Sequence, residues 1–246
     1  LTPFETSPDP VTKDALGGLG TSDADALATA GALCPHVREM VLSLRPEVPQ
    51  WVMMSLGDAT RAACRLIAEG GDAGVAIREG KRRGAFAVAV ADLLGEASVA
   101  EVTEALSALA DAAFVLALVK RGGCDLNYSC DVDLVSLCEP GALTQAAAVK
   151  VVQRMARLLS ERTAHGYGFR VDLRLRPDPG STPVAVTTTS AAAYLRSQAR
   201  AWERQALIKA RFVAGDSAAA ARYLSAAAAS VWPSAYDFSA IQDAAD

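Results

Sequence analysis

The chain has 246 residues, a hydrophobic fraction of 51%, a charged fraction of 21% and a net charge of −4. That is the composition of a globular chain with ample core, long enough for one large or two small domains, and it excludes a general polyanion binder, so no nucleic-acid partner is expected. Five cysteines at positions 34, 64, 124, 130 and 138 and two histidines at 36 and 165 show no zinc-type spacing and read as reduced thiols of a cytoplasmic protein.

Residues 1–20 hold Pro3, Pro8, Pro10 and a Gly-Gly-Leu-Gly run, which predicts an irregular lead-in. They lack a basic start followed by an apolar core, so no signal peptide is expected. The apolar run 112–119 is far too short to span a bilayer, and no membrane partner is expected. Residues 22–118 read as helical almost throughout. Within them 78–84, Arg-Glu-Gly-Lys-Arg-Arg-Gly, is basic and reads as a solvated helix end. Ser98 and Glu101 form a capping box, and Val99, Val102, Leu106 and Leu109 follow at helical spacing as one buried face.

The texture changes after residue 113. Asp131-Val-Asp-Leu-Val-Ser-Leu137 reads as a strand. Residues 141–166 read as a helix with Ala148, Val152, Met155 and Leu159 inward, Lys150, Arg154, Arg157 and Glu161 outward, and Gly166 as its stop. Residues 169–177, Phe-Arg-Val-Asp-Leu-Arg-Leu-Arg-Pro, alternate as a strand. A turn at 177–180 and a returning strand at 183–189 follow. Residues 190–216 predict one helix ending near Arg211, with Arg196, Arg200 and Arg204 on one basic stripe. A further Ala-rich helix and a tail with Trp and Tyr close the chain.

Asp131 and Asp133 project from one face of their strand. Two carboxylates that close raise each other's pKa unless a cation neutralises them. A hard divalent ion does so, taking carboxylate oxygens together with water and phosphate oxygens. A solvated strand end is the plainer alternative. Asp172 shares a face with Arg170, Arg174 and Arg176, which fits either simple ion pairing or a phosphate site in which guanidiniums take phosphate oxygens. An acidic pair, a third acid and a basic helix together predict metal-assisted phosphoryl chemistry.

The same residues bear a resemblance. The stretch Lys120-Arg-Gly-Gly-Cys-Asp-Leu-Asn-Tyr-Ser-Cys-Asp-Val-Asp-Leu134 resembles the signature of the bacterial glutamine synthetase adenylyltransferase/adenylyl-removing family. Residues 161–186 and 199–216, the latter with Trp202-Glu-Arg-Gln-Ala-Leu-Ile-Lys-Ala-Arg211, resemble the segments that follow it, in family order. The similarity runs from about residue 78 to about residue 241. It implies an α+β fold, with a helical amino-terminal region (1–112), a polymerase-β-type nucleotidyltransferase palm (113–216) and a helical tail (217–246) leading to a carboxy-terminal part beyond this sequence.

The two segments after the signature are closer to the amino-terminal, adenylyl-removing half. The resemblance therefore implies a fragment or short relative of that half, releasing AMP from adenylyl-tyrosine of glutamine synthetase by phosphorolysis to give ADP, in nitrogen metabolism. It implies Asp131, Asp133 and Asp172 as metal ligands for Mg²⁺ or Mn²⁺. Lys120, Gly122, Gly123, Ser129, Arg174, Arg176, Arg204 and Lys209 would serve nucleotide (ATP or ADP) and inorganic phosphate. Glutamine synthetase is the implied protein substrate, and a PII-type signalling protein a candidate second partner.

There are two departures. Ala117-Leu-Val-Lys120 stands where the family has Gly-x-Gly-Lys, and Val119 does not let backbone approach a phosphate as glycine does. The helix ending near Ala112 passes into the expected strand 114–119 without the family's connecting loop, and the link from Leu137 to the helix near 146 is short. Adenylylation of glutamine synthetase from ATP, and a domain that binds nucleotide or partner without turnover, are the alternatives.

Overall fold

The computed structural model describes residues 7–17, 19–113, 118–120, 131–139, 141 and 144–233. They fall into two compact units, one ending at Ala112 and the other taking in everything described from Ala113 onward.

The first unit is helical: α1 (Pro10–Ala15), α2 (Thr21–Leu33), α3 (Pro35–Ser43), α4 (Val48–Val52), α5 (Leu56–Glu69), α6 (Ala73–Leu93) and α7 (Val99–Ala113). The expected irregular lead-in is corrected here. Asp9 caps α1 by accepting the Thr12 N–H at 3.0 Å, and Pro10 sits in its first turn, the position where a missing N–H costs nothing. Ser98 and Glu101 do form the capping box: the Ser98 N–H donates to Glu101 Oε2 at 2.8 Å and the Glu101 N–H to Ser98 Oγ at 3.3 Å. Val102, Leu106 and Leu109 are buried as the spacing predicts, but Val99 is 77% exposed. It is the first residue of α7, ahead of the turn at which the helix begins to pack.

The basic run 78–84 is not a solvated helix end. It lies in the middle of α6, the longest helix among the described residues, with Arg78, Gly80 and Gly84 buried. A Cβ on Gly80 would stand 2.5 Å from Ile67 Cγ1 and 2.8 Å from the Ala63 carbonyl oxygen, and one on Gly84 2.5 Å from Leu109 Cδ2. Gly80 lets α5 lie against α6 at backbone distance, and Gly84 leaves room for the Leu109 side chain of α7. Arg83 grips Glu47 with both arms of its guanidinium, Nε to Oε2 and Nη2 to Oε1, each at 2.7 Å. Glu79 accepts from Arg82 at 2.6 Å and from Arg83.

The second unit is α+β. Its elements are β1 (Leu118–Lys120), β2 (Val132–Cys138), α8 (Gln145–Ser160), β3 (Val171–Asp172), β4 (Ala185–Thr187), α9 (Thr188–Ser197), α10 (Ala201–Leu207), β5 (Ala210–Phe212) and α11 (Ser217–Val231). The sheet runs β3-β2-β1-β5, with β4 also on β2. β1 is antiparallel to both β2 and β5, whereas β3 and β4 are parallel to β2. α8 is the crossover that a parallel β2–β3 pair requires. Thr144 caps it, Ala148, Val152 and Leu159 are buried, and it ends at Ser160, before Gly166, which instead takes a positive φ in a tight turn with Thr163.

Two strand expectations are corrected. Residues 169–177 supply a ladder only at Val171–Asp172. The Asp172 carboxylate accepts the Arg174 N–H at 2.7 Å, a side-chain turn that takes that donor out of the sheet. Arg176 then stitches the following turn, donating to the carbonyls of Leu173, Pro179 and Thr182. The chain returns at Ala185–Thr187 parallel to β2, not as a hairpin partner of 169–177.

The single helix expected over 190–216 is three elements: α9, α10 and β5. Glu203, 4% exposed, reaches back to the Arg200 N–H at 2.8 Å and accepts the Tyr194 hydroxyl at 2.9 and 3.0 Å. That anchor starts a new helix and leaves Gln198–Arg200 outside both. Two apolar clusters hold this unit. One joins Val135, Val186, Leu195, Leu207 and Tyr223; the other joins Ala148, Val152 and Ala185, with Met155 partly buried against it. Among the described residues no helix is long and apolar enough to cross a membrane.

Candidate functional site

β2 is apolar where it meets neighbours, with Val132, Leu134 and Val135 buried. The acids sit at its beginning. Asp131 immediately precedes the strand and is exposed, while Asp133 is half-buried. The Val132 N–H donates to the Arg170 carbonyl at 2.8 Å, and the parallel register then sets Val132 against Val171 and Asp133 against Asp172. Partners in register point to the same face, and Asp131, two residues before Asp133, shares it. Two adjacent strands thus bring three carboxylates to one end of one sheet face.

On the other side of β2, Val119 pairs with Leu134 and Lys120 with Ala210. Continued by one residue, the β1–β2 register sets the Lys120 backbone across from Asp133, so one row crosses the sheet as Ala210, Lys120, Asp133, Asp172. The side chain of Lys120 lies outside the described residues, as do Gly122, Gly123 and Ser129.

Arginines neutralise the acid face. Arg170 Nε lies 2.6 Å from Asp131 Oδ1. Arg174 Nε donates to both oxygens of Asp172, at 3.1 and 2.8 Å, and its Nη2 to Oδ2. Hydrogen bonding to Asp172, with the charges of Asp172, Asp133 and Asp131 acting beyond it, raises the Arg174 pKa above the ordinary guanidinium value. One guanidinium therefore senses all three carboxylates. Asp172 is mostly covered, at 13% side-chain exposure, while Arg174 is 79% exposed. Among the described residues no three His, Cys, Asp or Glu side chains are grouped tightly enough to hold a metal ion. Asp131 and Asp172 are drawn onto their arginines.

The remaining predicted residues are dispersed. Arg176 is committed to backbone carbonyls, and burial lowers its pKa against the pull of Asp172. The basic stripe does not exist as one helix face: Arg196 lies in the last turn of α9, Arg200 is the N-cap of α10, and Arg204 lies within α10. Arg204 is half-buried, with Nε enclosed and without a hydrogen-bond partner. Lys209 is exposed just before β5, and Arg211 on β5 is paired through its backbone with Val119. Sequence reasoning missed Glu203 and Tyr194. Their spacing of nine residues looks like neither a helix face nor a motif, and only the bend at 198–200 brings them together.

Comparison with known proteins follows the same segment. Residues 113–226 match the family model described as glutamate-ammonia ligase adenylyltransferase. A bifunctional glutamine synthetase adenylyltransferase/adenylyl-removing enzyme of Rhodopseudomonas palustris (strain HaA2) is 37% identical over 267 residues, covering 90% of this chain and 27% of that protein. The protein of the same description from Rhodopseudomonas palustris (strain TIE-1) is 34% identical, covering 96% of this chain and 29% of its own length. One from Bradyrhizobium sp. (strain ORS 278) is 49% identical over 140 residues, 54% of this chain and 14% of that protein. The chain thus spans less than a third of the length of these relatives. The 267-residue alignment is longer than the 246-residue chain, so that relative holds residues inside the matched region for which this chain has no counterpart.

Proposed function

Because this chain belongs to the glutamate-ammonia ligase adenylyltransferase family, matching its model over residues 113–226, we propose that its second unit is a polymerase-β-type nucleotidyltransferase palm that removes AMP from an adenylylated tyrosine of glutamine synthetase. Orthophosphate is the acceptor and ADP the product. The observation that supports this reading is the register of Asp133 with Asp172, with Asp131 two residues back on the same face.

The donor set suits a hard divalent cation: three carboxylates, no thiolate or imidazole among them. Asp131, Asp133 and Asp172 would hold Mg²⁺ or Mn²⁺, which when bound neutralises charge on the transferred phosphoryl group. The arginines have a matching role. A cation held there would compete with Arg170 for Asp131 and with Arg174 for Asp172, and the planar donor fork of Arg174 would then be available to phosphate oxygens. Arg174, already the more exposed of its pair, is the first candidate to orient the attacking orthophosphate. Lys120, whose backbone lies in the row of Asp133 and Asp172, is a candidate phosphate contact. Catalysis of this kind is positioning plus electrostatic stabilisation, with little covalent work for the protein. Gly122, Gly123, Ser129, Arg204 and Lys209 remain candidate contacts to nucleotide. Arg176 serves the turn that presents Arg174.

The test uses the whole chain with adenylylated glutamine synthetase, Mg²⁺ and orthophosphate, and measures ADP release. Asp131→Asn and Asp133→Asn are expected to lower turnover by at least about 100-fold with unchanged circular dichroism. Turnover unaffected by both substitutions would overturn the proposal. A parallel reaction with unmodified glutamine synthetase and labelled ATP reads the opposite direction, and incorporation of label without ADP release would assign the chain to adenylylation.

A further inference from the structure

The bend between α9 and α10 carries charge and aromatic surface that the fold itself does not use. From Thr188 to Gly215 the chain has five basic residues, Arg196, Arg200, Arg204, Lys209 and Arg211, and a single acid, Glu203, although the whole molecule has a net charge of −4. That acid is buried and spent on the Tyr194 hydroxyl and the Arg200 N–H. Arg196 and Arg200 are exposed, and among the described residues neither forms an ion pair. Local energetics accounts only for Arg196, whose place in the last turn of α9 suits the negative end of the helix dipole. Arg200 is the N-cap of α10, where a cation opposes the dipole and a guanidinium has no acceptor to offer the first N–H groups.

Trp202, two residues on, is 49% exposed. The Ser230 hydroxyl donates to the Leu195 carbonyl at 2.8 Å, which brings the end of α11 against the end of α9, and Trp232, two residues past Ser230, is 61% exposed. Two tryptophans open to solvent beside two unpaired guanidiniums have the composition of a recognition surface, where Trp and Arg supply most of the binding energy.

The surface lies on the acid side of the sheet. Val135 is two residues beyond Asp133, on the same side of the β2 pleat, and it packs in one cluster with Leu195, Ala206 and Leu207. α9 and α10 therefore cover that side, and α10 hands the chain to Ala210, in the row of Lys120, Asp133 and Asp172.

We propose that the surface of Arg196, Arg200, Trp202 and Trp232 is where the protein substrate docks, through a carboxylate-bearing segment whose apolar side chains cover the two indoles. This rests on glutamine synthetase being that substrate, in either direction of AMP transfer: a protein that presents one side chain to the acids covers about 800 Å² of its host, and this is the adjoining surface that offers it charge and apolar area together. A polynucleotide fits less well, because a molecule of net charge −4 repels it at long range.

The test immobilises the whole chain, measures binding of adenylylated glutamine synthetase by biolayer interferometry, and follows ADP release in parallel. Trp202→Ala is expected to raise both Kd and the KM for this substrate at least about tenfold, as truncation of a central interface tryptophan does. Arg200→Ser is expected to raise them about two- to fivefold, the scale of an exposed ion pair, while its urea midpoint holds or rises, since serine is the better N-cap. Neither variant is expected to alter kcat, Mn²⁺ affinity or the KM for orthophosphate. Arg65→Glu, at an exposed arginine of α5, is the control and is expected to leave Kd within twofold. Undiminished binding in Trp202→Ala, with ADP still released, would overturn the docking surface and leave the reaction standing. Binding that falls in both variants, with no ADP released by the parent chain, would uphold the surface and overturn phosphorolysis. A parent chain that does not bind the substrate would overturn the docking proposal, as would a single-stranded oligonucleotide bound with comparable affinity and lost in both variants.

Discussion

Asp172 is held three ways by Arg174: through the backbone N–H, through Nε and through Nη2. A divalent cation at the proposed site competes with that grip. Arg174→Gln is therefore expected to tighten Mn²⁺ binding about two- to fivefold, the scale of an exposed ion pair, while raising the KM for orthophosphate. Electron paramagnetic resonance of free Mn²⁺ and steady-state kinetics read the two effects separately. Weaker Mn²⁺ binding in this variant would mean that Arg174 shapes the acid face and does not compete for it.

Tyrosines supply the residue-scale pH dependence. Burial, then the hydrogen bond to Glu203, raises the Tyr194 pKa, and burial raises that of Tyr223. Both phenols stay protonated in the fold past the point, about pH 10, at which an unfolded tyrosine ionises. Their stabilising contribution is complete below that pH and is lost as pH climbs towards the folded values. Urea midpoints of the second unit should fall between pH 9 and 11, with a shallower fall in Tyr223→Phe. A midpoint independent of pH over this range contradicts the assignment.

Helices were legible where caps and spacing were local. The box at Ser98 and Glu101 and the inner stripe of α8 stand as the sequence implies. What was not legible depends on contacts between elements. Residues 169–177 alternate well enough for a long strand, but Asp172 spends its carboxylate on the Arg174 N–H, and the ladder stops. No glycine or proline marks the break at 198–200, because the cause is a buried Glu203 bonded to a tyrosine nine residues earlier. The acidic pair at 131 and 133 could be read from alternation. Its alignment with Asp172 could not, since parallel register comes from the α8 crossover.

The glycines of α6 belong to this scale as well. Alanine is the better helix former by about 1 kcal/mol, yet Gly80→Ala pushes a methyl into Ile67 and the Ala63 carbonyl. Overpacking costs about 1–3 kcal/mol, so a net loss of about 1 kcal/mol is expected in chemical denaturation. Gly57→Ala in α5, where the nearest neighbour to a new Cβ is the Arg61 side chain at 3.4 Å, is the control and should be neutral or stabilising.

At the scale of the molecule, all of the described acids of the proposed site lie in the second unit, and so does the docking surface. Substitutions confined to the first unit, Gly80→Ala among them, are expected to leave Mn²⁺ affinity within twofold of the parent chain. A larger change would show that the helical unit contributes to the cation site. The chain covers less than a third of its relatives and also lacks residues that one of them holds within the matched stretch.

β2 divides its length between two parallel partners: Val132 and Asp133 face β3, and Ser136 to Cys138 face β4. Ten or more residues between those partners leave the sheet altogether, so that excursion can grow or shrink without disturbing either attachment. The strand itself has no such freedom. Losing a single residue between Asp133 and Ser136 would invert the pleat on one side of the gap, turning either the acids or the β4-paired end towards the opposite layer, and natural length variation in this fold should therefore collect in the excursion and spare those two intervening residues.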